Sequence, residues 1–168
     1  NKTERRFTFL DMKKESARCA NYFLSLGIRK GDKVMLVLKR HYQFWFAMIA
    51  LHKIGAIAIP ATYQLREHDF IYRFNAAGVS AIVCTSDGDC AEIVDKVQGE
   101  CPTLNLKVLV GGKREGWRDF DSEYGLFKSS FRRTPDTPSG DEPALMFFSS
   151  GTTGNPKMVE HKHTYGLG

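Results

Sequence analysis

The residues best suited to chemistry lie together near the end of the sequence: Ser149-Ser150-Gly151-Thr152-Thr153-Gly154-Asn155-Pro156-Lys157. Glycines let backbone N–H groups crowd around an anion with no Cβ in the way. Serine and threonine hydroxyls add short donors, and lysine adds a mobile positive charge suited to phosphate. The pattern reads as a cradle for the phosphates of a nucleotide. It is not the G-x-x-x-x-G-K-[ST] loop, which opens a helix, because Lys157 is followed by Met158-Val159-Glu160-His161, a strand-like run. No apolar run ending in aspartate accompanies it, as an unrelated ATPase with a convergent loop would need.

Other reactive side chains are placed less tellingly. His161 and His163 lie two apart and would share a face if residues 158–163 form a strand. No third ligand stands at a suggestive spacing, so no metal site is expected. Cys19, Cys84, Cys90 and Cys101 form no C-x-x-C pair, and free thiols in a reducing cytoplasm are the plain expectation. Residues 1–40 hold eleven Lys/Arg against four Asp/Glu, while residues 41–168 hold thirteen against fifteen. That basic N-terminal stretch lacks the aromatic interleaving of a nucleic-acid module and reads as a solvated face. The longest apolar stretch, 44–51, is far short of the ~20 residues that cross a bilayer, so no membrane span is expected.

The loop and its flanks closely resemble the phosphate-binding motif of the adenylate-forming acyl-CoA synthetases, the AMP-binding superfamily. Ile54-Gly55-Ala56-Ile57-Ala58-Ile59-Pro60-Ala61-Thr62 is similar to the helix-to-strand junction these enzymes carry upstream, and Gly31-Asp32-Lys33-Val34 to the entry of their first core strand. The match runs from about Phe7 to Gly168. The segments Pro60–Gln64 and Pro156–His161 look most like the medium-chain acyl-CoA synthetase branch.

That resemblance implies a two-step ligase, in which a carboxylate attacks the α-phosphate of ATP to give acyl-AMP and pyrophosphate, and the thiol of CoA then displaces AMP. It implies that Thr152, Thr153 and the adjoining amides contact the β- and γ-phosphates with help from Lys157. It also implies that Gln64 contacts CoA and that Mg²⁺ accompanies ATP. The superfamily's adenine, acyl, ribose and metal-linked residues and its catalytic lysine fall downstream. The chain therefore reads as the N-terminal portion (1–168) of an AMP-binding domain, an excised piece with no catalytic residue of its own and inactive alone. An aryl-CoA ligase, a peptide-synthetase adenylation domain or a non-catalytic phosphate-binding interaction domain would share the loop.

The elements that must hold this loop follow from periodicity. Thr8 and Asp11 cap a helix running to Leu26, and Lys33–Leu38 is a short apolar strand buried on both faces. His41–Ile54 is a helix apolar nearly all round, expected to be sandwiched. The alternation then repeats: strand 56–59, helix 66–77, strand 80–84, helix 90–98, strand 104–110. Residues 120–129 read as a short amphipathic helix, 131–142 as a flexible Pro/Ser/Asp-rich linker, and 144–149 as the strand delivering the phosphate loop 149–157. Such alternation predicts an α/β fold with a largely parallel sheet and helices on both faces. By the resemblance, it is a partial N-terminal subdomain of the adenylate-forming synthetase fold.

Overall fold

A computed structural model describes residues 4–149 and 154–167. The main helices and strands run as α1 (Phe9–Ser25), β1 (Lys33–Val37), α2 (Gln43–Ile54), β2 (Ile57–Pro60), α3 (Glu67–Ala77), β3 (Ala81–Thr85), α4 (Cys90–Val97), β4 (Leu106–Val110), β5 (Arg118–Asp119), α5 (Phe120–Glu123), β6 (Pro143–Ser149) and β7 (Lys157–Lys162). Short 3₁₀ turns cover Gln98–Glu100, Tyr124–Leu126 and His163–Leu167. The strands form one sheet in the order β5-β4-β3-β1-β2-β6-β7. Every neighbouring pair is parallel except β6–β7, which is antiparallel.

Alternation along each strand sends side chains to two separate cores. Met35, Val37, Ile82 and Cys84 pack with α3 and α4 on one face. Val34, Leu36, Ala81, Val83 and Val108 pack with α1 and α2 on the other. Connections must be right-handed, so a chain stepping one way across the sheet lays its helix on one face and, stepping back, on the other. α2 therefore lies opposite α3 and α4.

Local chemistry sets the element ends. The Asp11 N–H donates to Thr8 Oγ1 at 3.1 Å while Asp11 Oδ2 accepts from the Thr8 N–H at 2.9 Å, a reciprocal cap on α1. Gly55 ends α2 at φ 74°, where a Cβ would sit 2.9 Å from Lys30 Cγ, so both conformation and space require glycine there.

Three expectations need correction. α2 is not sandwiched: Phe46, Ala47, Ala50 and Leu51 are buried, but Trp45 is 59 % exposed. The helix expected over 120–129 stops at Glu123 and tightens into a 3₁₀ turn. Its carbonyls are drawn off sideways: Arg18 donates to the carbonyls of Gly125 (3.1 Å) and Phe127 (2.7 Å), and Asn21 Nδ2 to those of Lys128 (2.8 Å) and Ser130 (3.0 Å). These contacts tie residues 125–130 to α1 in a non-helical course. The two-residue strand β5, which pairs with β4, had no sequence signal. Residues 131–142 carry no helix or strand, and Phe131 packs against the α1–α2 core.

Candidate functional site

β6 runs parallel to β2 through the pair Ala58–Leu145, so Ser149 emerges at the carboxyl edge of the parallel sheet. The chain then turns back as β7, with Ser149 opposite Lys157 and Phe148 opposite Met158. The Ser149 hydroxyl donates to the Lys157 carbonyl at 3.3 Å, closing the mouth of the loop. Gly154 stands at φ 93°, a conformation that side chains resist. Gly154, Asn155 and Lys157 are exposed, and Lys157 has no ion-pair partner among the described residues. Ser150, Gly151, Thr152 and Thr153, also expected in the cradle, lie outside the described residues.

α3 braces this hairpin. The Tyr72 hydroxyl donates to the Pro156 carbonyl at 2.9 Å, and the Arg73 guanidinium lies 5.3 Å from the centroid of the Phe148 ring. Arg73 is itself fixed by Asp69 at 2.8 Å. Burial pushes the Asp69 carboxyl up, but the Arg66 backbone and the Arg73 guanidinium outweigh it and hold the group below its usual value.

On the same carboxyl edge, a cleft of about 730 Å³ opens above β1, β2 and β3. In open α/β sheets ligands settle outside the carboxyl ends of strands where successive connections depart to opposite faces, and β1 with its neighbours is such a place. Lys39, directly after β1, sits at φ 48°, a left-handed conformation uncommon for a side-chain-bearing residue. Its ammonium lies 5.1 Å from the Tyr63 ring centroid and donates to the Asp87 carbonyl. His41 Nε2 is 2.6 Å from Asp87 Oδ2 and 3.1 Å from Thr85 Oγ1. The His41 contact keeps the Asp87 carboxyl below its usual range. These contacts knit the ends of the three central strands into one rim.

Gln64 lies in the loop after β2, exposed beside Tyr63, with its N–H donating to Thr62 Oγ1 at 3.3 Å. The fold thus places Gln64 and the ends of β6 and β7, Ser149 and Lys157, on the same edge of the sheet. It separates His161 from His163. β7 ends at Lys162; His161 stacks 3.9 Å from Tyr165, while His163 turns away to sit 5.4 Å from the His52 ring. Among the described residues no group of three His, Cys, Asp or Glu converges as a metal would require, so they offer no protein cage for Mg²⁺. Lys39, Arg40, His41 and Asp87 were not singled out from the sequence. Their signal was available: each follows directly on a buried parallel strand.

A family model described as AMP-binding enzyme matches residues 1–167. The chain belongs to that family. Among curated AMP-binding relatives, the mitochondrial acyl-coenzyme A synthetase ACSM5 of Rattus norvegicus is 40% identical over 99% of this chain and 28% of its own length. The mitochondrial acyl-coenzyme A synthetase ACSM1 of Homo sapiens is 37% identical over 98% of the chain and 28% of its own length. The chain thus spans a little over a quarter of these relatives. Among solved structures, an anthranilate CoA ligase in complex with anthranoyl-AMP superposes with a TM-score of 0.87 at 23% identity, over 95% of this chain and 30% of its own. The acetoacetyl-CoA synthetase from Streptomyces lividans gives 0.81 at 20% identity, over 95% of this chain and 26% of its own. At such identities these likenesses establish the fold, an adenylate-forming N-terminal architecture.

The cytoplasmic location expected from the cysteines is overturned, since these curated relatives are mitochondrial. All four thiols are free and buried. Free buried thiols are equally at home in any reducing compartment, so they had no power to tell one from another.

Proposed function

We propose that this chain is the N-terminal part of a mitochondrial, ATP-dependent acyl-CoA synthetase that activates a medium-chain carboxylic acid as acyl-AMP and passes it to CoA. The observation that carries the reading is spatial. The exposed hairpin loop and the cationic cleft share the carboxyl edge of one parallel sheet, in a chain whose curated relatives are acyl-CoA synthetases.

In this reading the loop from Ser149 to Lys157 receives the β- and γ-phosphates of ATP. Negative charge builds on the departing pyrophosphate, and donors already aimed there stabilise it without reorganising. Lys157 provides the charge, and Ser149, Thr152, Thr153 and the loop amides provide hydrogen bonds. Mg²⁺ arrives with the nucleotide and neutralises phosphate charge. Gln64 and the rim formed by Lys39, Arg40 and Tyr63 face the second substrate, CoA, whose phosphates complement the two cations.

The test is ATP–pyrophosphate exchange by the full-length protein across a panel of carboxylates, followed by thioester formation with CoA. Acid-dependent exchange is expected, strongest with medium-chain acids. Absence of exchange with every acid overturns the adenylation step. Exchange without thioester on CoA overturns the acceptor.

A further inference from the structure

A second, larger cleft of about 960 Å³ opens on the α1–α2 face. It lies toward the amino edge of the sheet, since His163 follows Lys162, which pairs with Pro143 at the start of β6. The phosphate loop is at the opposite end of the same strands. The size falls within the range of small-molecule sites.

Its lining is chemically one-sided. Lys13, Lys14, Lys53 and Arg133 contribute to it, and no carboxylate does. Lys13, Lys14 and Arg133 have no ion-pair partner among the described residues. Lys53 is held at 2.7 Å from Ser16 Oγ and 3.1 Å from the Lys13 carbonyl, contacts that orient its ammonium without neutralising it. Of the acids near the lining, Glu142 is engaged by Lys30 at 2.5 Å and Asp11, close to Lys14, by the Thr8 hydroxyl at 2.6 Å. Ser129, Ser130, Thr137 and Ser139 add hydroxyl donors, while Ile49 and Phe131 supply apolar wall.

The floor holds a second, independent anomaly. His52 Nε2 and His163 Nε2 are both shielded from solvent and have no hydrogen-bond partner. A shielded, unsatisfied polar atom is costly, and such atoms are rare in folded proteins. The two rings meet edge to face at 5.4 Å and add polar wall beside the cations of the cleft.

We propose that this cleft is an anion site separate from the nucleotide loop, taking a phosphomonoester that carries an apolar group. A dianion answers the surplus of cations better than a single charge, and the apolar group covers Ile49 and Phe131. The imidazoles face Lys13, Lys14, Lys53 and Arg133 across the cleft, with Lys30 and Glu142 beside His163.

Hexyl phosphate titrated calorimetrically into the intact protein tests this, in two buffers of different ionisation heat at pH 6.5 and again at pH 8. One-to-one binding is expected, with protons released at pH 6.5, where part of the ligand must give up its second proton to bind as a dianion, and with no weaker binding at pH 8. Arg133→Ala combined with Lys14→Ala, both at exposed positions, should weaken it at least tenfold with unfolding unchanged, while Lys157→Ala leaves it intact. Binding lost in Lys157→Ala and kept in the double variant would place the ligand on the nucleotide loop and overturn the proposal. Equal affinity for hexanol would overturn the anionic character, and equal affinity for inorganic phosphate the apolar part. No binding at millimolar hexyl phosphate overturns it altogether.

Discussion

The sheet has two regions built on different terms. β1, β3 and β4 are covered on both faces, and β3 and β4 stay in register over five residue pairs from Ala81–Leu106 to Thr85–Val110. The β6–β7 arm joins the rest through the single pair Ala58–Leu145, and apart from half-buried His161 the residues of β7 are exposed. The first region is stabilised by apolar burial. In the second, β6 still buries Ala144 and Met146 in the core, while β7 is held by the antiparallel ladder and a few contacts from α3. The arm carries the loop proposed above to receive phosphates. Elements that move for ligands are drawn from the less stable parts of a fold, and here they hang from a core that need not move with them.

The largest effect that would sharpen this contrast is on stability. Phe74, fully buried under the sheet, should cost about 3–5 kcal/mol when changed to alanine, whereas Val159→Ala on the arm should cost under about 0.5 kcal/mol. Equal shifts in urea midpoint would break the distinction between core and arm.

Next comes Lys157→Ala, which should slow pyrophosphate exchange about 10²-fold, roughly 2.7 kcal/mol of lost transition-state stabilisation, and leave the urea midpoint alone. Conversion of supplied acyl-adenylate to acyl-CoA should fall far less, since pyrophosphate has left by then. Equal losses in both half-reactions would remove Lys157 from the first step.

A pH effect links the two regions, because His52 on α2 meets His163 just after β7. Burial lowers the His52 pKa to about 4 from 6.5, with His163 adding to the effect and the Ala144 backbone opposing it. The folded state resists a proton that the unfolded chain accepts. Stability from this site is therefore complete above pH 6.5 and declines as pH falls toward about 4. Partial exposure limits the effect to about 1–2 kcal/mol. His52→Gln should flatten the urea midpoint between pH 7 and 5 relative to the parent protein, and an unchanged slope would show that the imidazole does not titrate as described.

The smallest expected effect is that of Tyr72→Phe. Loss of the hydroxyl bond to Pro156 should cost about 0.5–1.5 kcal/mol at most, felt in the loop as a few-fold rise in KM for ATP while the midpoint stays put. A fall in midpoint as large as that of Phe74→Ala would make Tyr72 part of the core.

Much of this molecule was legible residue by residue. The run Lys33–Val37 is apolar on both sides of the strand, which is the pattern of a strand covered twice, and Thr8 with Asp11 announced where α1 begins. The loop's hydroxyls, glycines and lysine suggested a phosphate cradle, a reading that remains a proposal. Where a helix was expected over 120–129, residues 125–130 are instead tied to Arg18 and Asn21, more than a hundred residues away. No local pattern in 120–129 encodes that.

What the sequence determined by itself is therefore whatever depends on neighbours along the chain: caps and the periods of strand and helix. What only the tertiary structure decided is which distant residues meet. The carboxyl edge brings Lys39, Tyr63 and Asp87 together from three strand ends, and the amino edge buries His52 against His163. Parallel strands force this division, because each crossover separates in sequence the residues that the sheet then sets side by side.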